Sequence, residues 1–205
     1  MRMRVNDALE LTDGKGSLSQ AVLTSVDEHK AAFRVTQTTK IPKRPFSIHL
    51  AIAPTKNIDR MEWMVEKCVE IGIDKISFVR CKTSERPSIP MERLTKLTIS
   101  AMKQSKQAWL PEVNDMVDFR DLFGRINEYQ RFIAHVDASN PNHLATVAKP
   151  GGSYVLLVGP EGDFTNTEIS LAISNDFQKV SLGPNRLRTE TAGLYGVMAL
   201  QLLNK

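Results

Sequence analysis

Little in this chain invites metal, disulfide or membrane chemistry. Its 205 residues include two cysteines, Cys68 and Cys81, with no metal-ligand spacing and no Cys-x-x-Cys pair, so both are read as reduced packing residues. No run approaches eighteen apolar residues, and the opening Met1-Arg2-Met3-Arg4 leads into polar sequence rather than a signal-peptide core, so a cytoplasmic protein is expected. His29, His49, His135 and His143 lack ligand spacing; all four are read as structural, and no metal is expected, although His135 follows a strand at the sheet's ligand end. Neither a Walker G-x-x-x-x-G-K-[ST] loop nor a dinucleotide G-x-G-x-x-G is found, which disfavours ATP hydrolysis and nicotinamide chemistry. There is no internal repeat and no low-complexity tract.

What is there fits one ordinary domain with a small appendage: hydrophobic residues make up 41% of the chain, normal for a globular core. The net charge is +4, compatible with a polyanionic partner, although charge alone favours a solvated basic face. Basic residues gather at Lys40, Lys43 and Arg44, then Lys56 and Arg60, then Arg80, Lys82, Arg86, Lys103 and Lys106.

Residues 5–39 alternate apolar and polar positions around an Asp13-Gly14 turn, which predicts a few short antiparallel strands, and Lys40 to Pro45 reads as a linker. The periodicity then changes. Ser47–Ala53 predicts a strand and Asp59–Ile71 a helix closed by Gly72, with Met61, Met64, Val65 and Cys68 on one face. Strands follow at Ile76–Val79, Phe132–Val136, Tyr154–Val158 and Val180–Leu182. Helices are expected over Glu92–Gln107, after a Thr165-x-x-Glu168 capping box, and over Thr189–Leu203. This alternation implies βαβ units on a parallel sheet, an α/β fold. The last helix is apolar nearly all round and should be buried on more than one face; Gly193 and Gly196 within it call for close approach of another backbone, internal or from a second subunit.

Two turn-rich peptides follow the late strands, so both belong at the carboxyl ends of the sheet, where α/β proteins bind ligands. Gly159-Pro160-Glu161-Gly162 joins glycines that permit close backbone approach to a projecting carboxylate. In the second, Leu182-Gly183-Pro184 is followed by Arg186 and Arg188, cations directly before a helix start that Thr189 or Thr191 can cap. Positive charge there is locally unfavourable and signals an anionic partner; an ion pair of Arg188 with Glu190 or Glu161 is the alternative.

These two peptides, GPEG-D-F and LG-x-x-R-LR-T-E-T-A, resemble the RsmE family, the 16S ribosomal RNA uridine-N3 methyltransferases of the SPOUT superfamily. Glu66-Lys67-Cys68-Val69-Glu70-Ile71-Gly72 is similar to its K-x-x-E-L-G helix, Ala101-Met102-Lys103-Gln104-Ser105 to its A-x-x-Q-S segment, and Asp13-Gly14-Lys15-Gly16 to its D-G-x-G turn, so the likeness spans nearly the whole chain. It implies a PUA-like RNA-binding domain over residues 1–42, a SPOUT domain with a C-terminal trefoil knot over 46–205, S-adenosylmethionine bound in the knot, and a homodimer. The matching cofactor shell is Leu157, Gly159, Pro160 and Gly162 from the first loop, and Leu182, Gly183, Leu187, Thr189 and Ala192 from the second.

By motif position, Glu161 is the expected base or orienter of the uracil edge, and Arg188 the cation that neutralises uracil oxygens or holds phosphate. Lys56, Arg60, Arg86 and Arg186 are the expected RNA contacts. Three departures stand out. Asp163 replaces a glycine usual in the first motif, Gln107 stands where arginine is common, and the family's opening segment has no counterpart, so an incomplete N-terminal domain is expected. Another SPOUT enzyme methylating a tRNA ribose, or a non-catalytic RNA-binding assembly factor, are the rival readings.

Overall fold

A computed structural model of the chain describes residues 3–135 and 142–205. They form two compact units, one of residues up to Arg44 together with Met102–Leu110, the other of Pro45–Ala101 and Pro111–Lys205.

The first unit is a three-stranded antiparallel sheet, β1 (Ala8–Thr12), β2 (Ser17–Val26) and β3 (Ala31–Lys40), in that order. Asp13 shapes the turn between β1 and β2. Its carboxylate accepts from Ser17 Oγ at 2.6 Å, from Ser17 N at 3.0 Å and from Lys15 N at 2.7 Å, and these bonds hold its carboxyl down at about 2. Gly16 has φ 93°, and a Cβ on it would lie 2.5 Å from the Trp109 ring, so the turn admits no side chain there. β2 and β3 run ten residues each, longer than the alternation predicted, and Phe33 and Val35 on β3 are exposed.

The second unit is built on a six-stranded, wholly parallel sheet. In chain order its elements are β4 (Phe46–Ile52), α1 (Ile58–Ile71), β5 (Lys75–Arg80), α2 (Met91–Gln104), β6 (Glu112–Asp118), α3 (Phe119–Leu122) and a 3₁₀ turn (Phe123–Arg125). Then come β7 (Gln130–Ala134), α4 (Leu144–Val147), β8 (Gly152–Val158), α5 (Asn166–Ile173), β9 (Gln178–Val180) and α6 (Thr189–Leu203). The sheet order is β6-β5-β4-β8-β7-β9. Thus β8, the fully buried run Tyr154–Val158, slots between β4 and β7, and the connections reverse around it.

Local signals account for most of the boundaries. Asn57 caps α1 through a 2.9 Å bond from Asp59 N, and Gly72 ends it at φ 101° with its N–H on Cys68 O and Val69 O. α5 starts with the reciprocal Thr165–Glu168 capping box. On one face of the sheet α6 lies against β4 and β8; on the other, Ala51, Val79, Ile133, Val155 and Leu157 pack with Phe119, Leu122, Phe164, Ile169 and Phe177.

Several expectations are corrected. β6 had no sequence signal, because in Glu112-Val113-Asn114-Asp115-Met116-Val117-Asp118 only Val117 is buried on this edge strand. α3 and α4 are single turns too short to show a period. β9 ends at Val180, earlier than expected, and Val136 lies outside the described residues. The helical span assigned to Glu92–Gln107 stops at Gln104. Gly193 and Gly196 admit side chains rather than a backbone. A Cβ on Gly193 would meet Ile52 Cδ1 at 2.9 Å and Leu50 Cδ2 at 3.1 Å, and one on Gly196 would overlap the Leu156 methyls of β8. As expected, α6 is covered on more than one side, by the sheet and by α1 and α4; Thr191, Tyr195, Met198 and Leu202 form an exposed stripe at helical spacing.

Candidate functional site at the carboxyl ends of the strands

Described residues of the loops after β7, β8 and β9 meet at the carboxyl edge of the sheet and border a cavity of about 950 Å³, the volume range of a cofactor site. From the first of these loops comes His135. The second contributes Gly159, Pro160, Glu161 and Asp163, and the third runs from Ser181 to Arg188 into the start of α6. Arg60 of α1 closes one side.

Each loop is fixed by its chemistry. Gly159 cannot carry a side chain, since its Cβ would lie 2.9 Å from the Phe164 ring, and its carbonyl accepts from Thr189 Oγ1 at 3.1 Å. That bond ties the second loop to the third. It also corrects the expected cap: Arg188 occupies the N-cap of α6 with no side-chain cap bond, because the Thr189 hydroxyl is spent on Gly159. Gly183 sits at φ 117°, with nothing within 4 Å of where a Cβ would be, so its backbone borders open space.

The polar groups are divided. Glu161 is exposed, its Oε1 3.3 Å from Lys56 N, and Arg186 donates to the Glu161 carbonyl at 3.4 Å. The guanidinium of Arg188 is exposed and forms no hydrogen bond or ion pair among the described residues. The pairs open to it in the sequence are therefore not made. Glu190, only 6% exposed, lies 3.8 Å from Arg60 instead. An uncompensated cation at a helix N-terminus suits an anionic ligand or developing negative charge.

Of the residues singled out in the sequence, Gly159, Pro160, Glu161, Leu182, Gly183, Arg186, Leu187, Arg188, Thr189, Ala192 and Arg60 line the cavity together. Four do not. Leu157 is fully buried in β8 beneath it, and Gly162 packs its backbone toward Thr83. Lys56 pairs at the surface with Glu85 at 3.2 Å. Arg86 gives its guanidinium to the carbonyls of Thr55, at 3.1 Å, and Lys56, so it braces that loop. Asp163, noted in the sequence as a charge beside the cofactor loops, lines the cavity, as do His135, His143 and Glu190, which the sequence did not assign to it; of these three only His135, at a strand's carboxyl end, carried a usable signal.

Apolar walls of Val158, Leu182, Leu187 and Ala192, backbone amides at glycine turns and three carboxylates suit a ligand with a flat face and a cationic centre. S-adenosylmethionine, with an adenine, an ammonium group and a sulfonium, has that chemistry.

A parallel sheet with this reversal, and a glycine-loop cavity at its carboxyl edge, places the chain among RNA methyltransferases: the model of the RNA methyltransferase domain family matches residues 42–201. A probable rRNA-methyltransferase from Porphyromonas gingivalis is 40% identical in sequence, superposes with a TM-score of 0.93, and the match covers 99% of this chain and 87% of that one. Ribosomal RNA small subunit methyltransferase E from Neisseria gonorrhoeae, solved bound to S-adenosyl methionine, is 30% identical with a TM-score of 0.89 over 99% of this chain and 86% of its own. The protein of that name from Rickettsia conorii is 28% identical over 206 residues, 99% of this chain and 84% of its own. The chain belongs to the ribosomal RNA small subunit methyltransferase E family.

Proposed function

We propose that this protein transfers the methyl group of S-adenosylmethionine to N3 of one uridine in 16S ribosomal RNA. Family membership gives S-adenosylmethionine-dependent ribosomal RNA methylation, and the observation that carries the site assignment is the meeting of three strand ends at one cavity lined by Glu161 and by Arg188, which has no partner among the described residues. Gly159, Pro160, Leu182, Gly183, Leu187, Thr189 and Ala192 would hold the cofactor, which when bound would supply an electrophilic methyl. Leu157 and Gly162 shape those loops from behind.

The chain's own residues do the rest. N3 of uracil is an imide nitrogen and must lose its proton to become nucleophilic, so the site needs a proton acceptor and a cation beside the uracil oxygens. Arg188 is the cation, and Glu161 orients the base edge or accepts the proton. The uridine leaves its stack to enter the cavity. Arg60 and Arg186 at the rim, with Lys56 further out, meet phosphates, and Arg86 acts through the loop it braces.

The loop before α6 returns the chain from edge strand β9 to the middle of the sheet, where the Thr189–Gly159 bond pins it. This path supports a trefoil knot. The exposed Tyr195, Met198 and Leu202 stripe of α6 supports a homodimer. The antiparallel β1–β3 sheet supports a PUA-like RNA-binding domain. The test is mass mapping of 16S ribosomal RNA from cells lacking the gene. One uridine should lack a methyl that purified protein and cofactor restore in vitro; a methyl appearing instead on a tRNA ribose would replace this reading with its rival.

A further inference from the structure

The cavity holds a histidine that the reaction as described leaves without a task. His135 directly follows β7, and its backbone N–H donates to Val180 O at 3.2 Å. Its Nδ1 is shut off from solvent and has no hydrogen-bond partner among the described residues, yet Asp163 Oδ2 lies 3.0 Å away at ion-pair distance. The ring lines the same cavity as Glu161 and Arg188. A buried ring nitrogen left without a hydrogen bond calls for an explanation, and a catalytic role is one of the few available.

Asp163 is unusually well fixed for this purpose. It sits at φ 62°, a region costly for most side chains though tolerated by Asp. Its N–H donates to Pro160 O at 2.9 Å, its carbonyl accepts from Thr83 Oγ1 at 2.8 Å, and its Oδ1 accepts from Phe164 N at 2.7 Å. With backbone and one carboxylate oxygen tied, the other oxygen addresses His135. A carboxylate at Nδ1 selects the tautomer protonated there and leaves the lone pair on Nε2, the arrangement by which an aspartate prepares a histidine base. The other charged groups lining the cavity are Glu161, Arg186 and Arg188, and the Arg60–Glu190 pair.

We propose that His135, oriented by Asp163, accepts the N3 proton of the target uridine, which leaves Glu161 to position the base edge. The proposal rests on the uridine-N3 reading of this cavity and names its proton acceptor. As the proton passes from N3 to Nε2, the N3 electron pair forms the bond to the methyl carbon. The C–S bond breaks and its electrons return to sulfur as a neutral thioether, after which the imidazolium gives its proton to solvent. The exposed carboxylate of Glu161 is the weaker candidate, because imidazole is intrinsically the stronger base of the two residue types.

The test is single-turnover methylation of a small-subunit ribosomal RNA fragment carrying uridine or 5-fluorouridine at the target, with cofactor affinity measured by calorimetry on each variant. The 5-fluoro group makes N3 more acidic and lessens the need for a base. His135→Gln should slow uridine methylation by about 10²–10⁴-fold, keep cofactor affinity within about twofold, and recover at least about tenfold of the deficit on 5-fluorouridine. Asp163→Asn should show the same pattern more mildly, and decides the matter alone where His135→Gln does not fold. An equal deficit on both RNAs, a rate loss matched by lost cofactor affinity, or a wild-type rate would overturn the proposal. A wild-type enzyme that methylates neither RNA would instead overturn the uridine-N3 reading beneath it.

Discussion

Two histidine–carboxylate pairs occupy the same parallel-sheet unit. His49 of β4 meets Glu128 Oε1 through Nδ1 at 2.9 Å and Ser77 Oγ through Nε2 at 2.9 Å, and Asn114 adds a 3.3 Å bond to the serine. Serine, histidine and glutamate in that order have the outline of a hydrolase triad. His49 is 2% exposed, both ring nitrogens are bonded, and it lines neither the strand-end cavity nor the small one beside Phe123 and Leu171. His135 and Asp163 are the less tidy pair, an ion-pair contact at 3.0 Å with no hydrogen bond to Nδ1 among the described residues, yet they border the large cavity. The difference teaches that saturation of hydrogen bonds marks a structural network, whereas unfinished bonding beside a cavity marks a group reserved for a ligand.

The largest effect that sharpens this contrast is expected on the cavity side. Arg188→Ala should lower single-turnover methylation by about 10²–10³-fold with an unchanged melting temperature, since its exposed guanidinium has no partner among the described residues. An equal fall in stability and rate would show that Arg188 is structural after all. On the sealed side, His49→Leu strands the Glu128 carboxylate and Ser77, and should destabilise by roughly 1–3 kcal/mol in denaturant titration. The methylation rate of its folded fraction should stay at wild type; a specific rate loss would break the distinction between the two pairs.

The smallest effect is one of pH. Burial tends to raise the Glu128 carboxyl, but the hydrogen bond and charge of His49 outweigh it, so the group titrates below the ordinary carboxylate range. Because the folded value lies below the unfolded one, its contribution is fully present above the unfolded value and is lost as pH falls through the folded one. Melting temperature against pH should therefore fall less steeply on the acid side in Glu128→Gln than in wild type. Parallel curves would remove Glu128 as a source of acid lability.

The sequence showed α1, α5, α6 and β8 because each carries a strong period or a cap: Gly72, the Thr165–Glu168 box and the Tyr154–Val158 run are local signals that local structure obeys. β6 was invisible because an edge strand with one buried residue has no pattern to display. The two glycine loops were legible through their motifs, and with them Glu161 and Arg188. His135 and Asp163 lie 28 positions apart in the numbering, and only the sheet order, which places β7 beside β8, brings them together. The Thr189 hydroxyl was misread as a cap because its true acceptor, Gly159 O, is likewise remote in sequence.

The central claim is that the cavity bordered by Gly159 holds the cofactor while the His49 network only supports the sheet. Calorimetric titration of S-adenosylmethionine into wild type, His49→Leu and Gly159→Ala tests it directly. The first two should bind alike. The third, whose new methyl would press on Phe164 at 2.9 Å, should bind about tenfold or more weakly, the equivalent of roughly 1–3 kcal/mol of overpacking. Equal affinity in all three proteins, or loss in the His49 variant alone, would contradict the account.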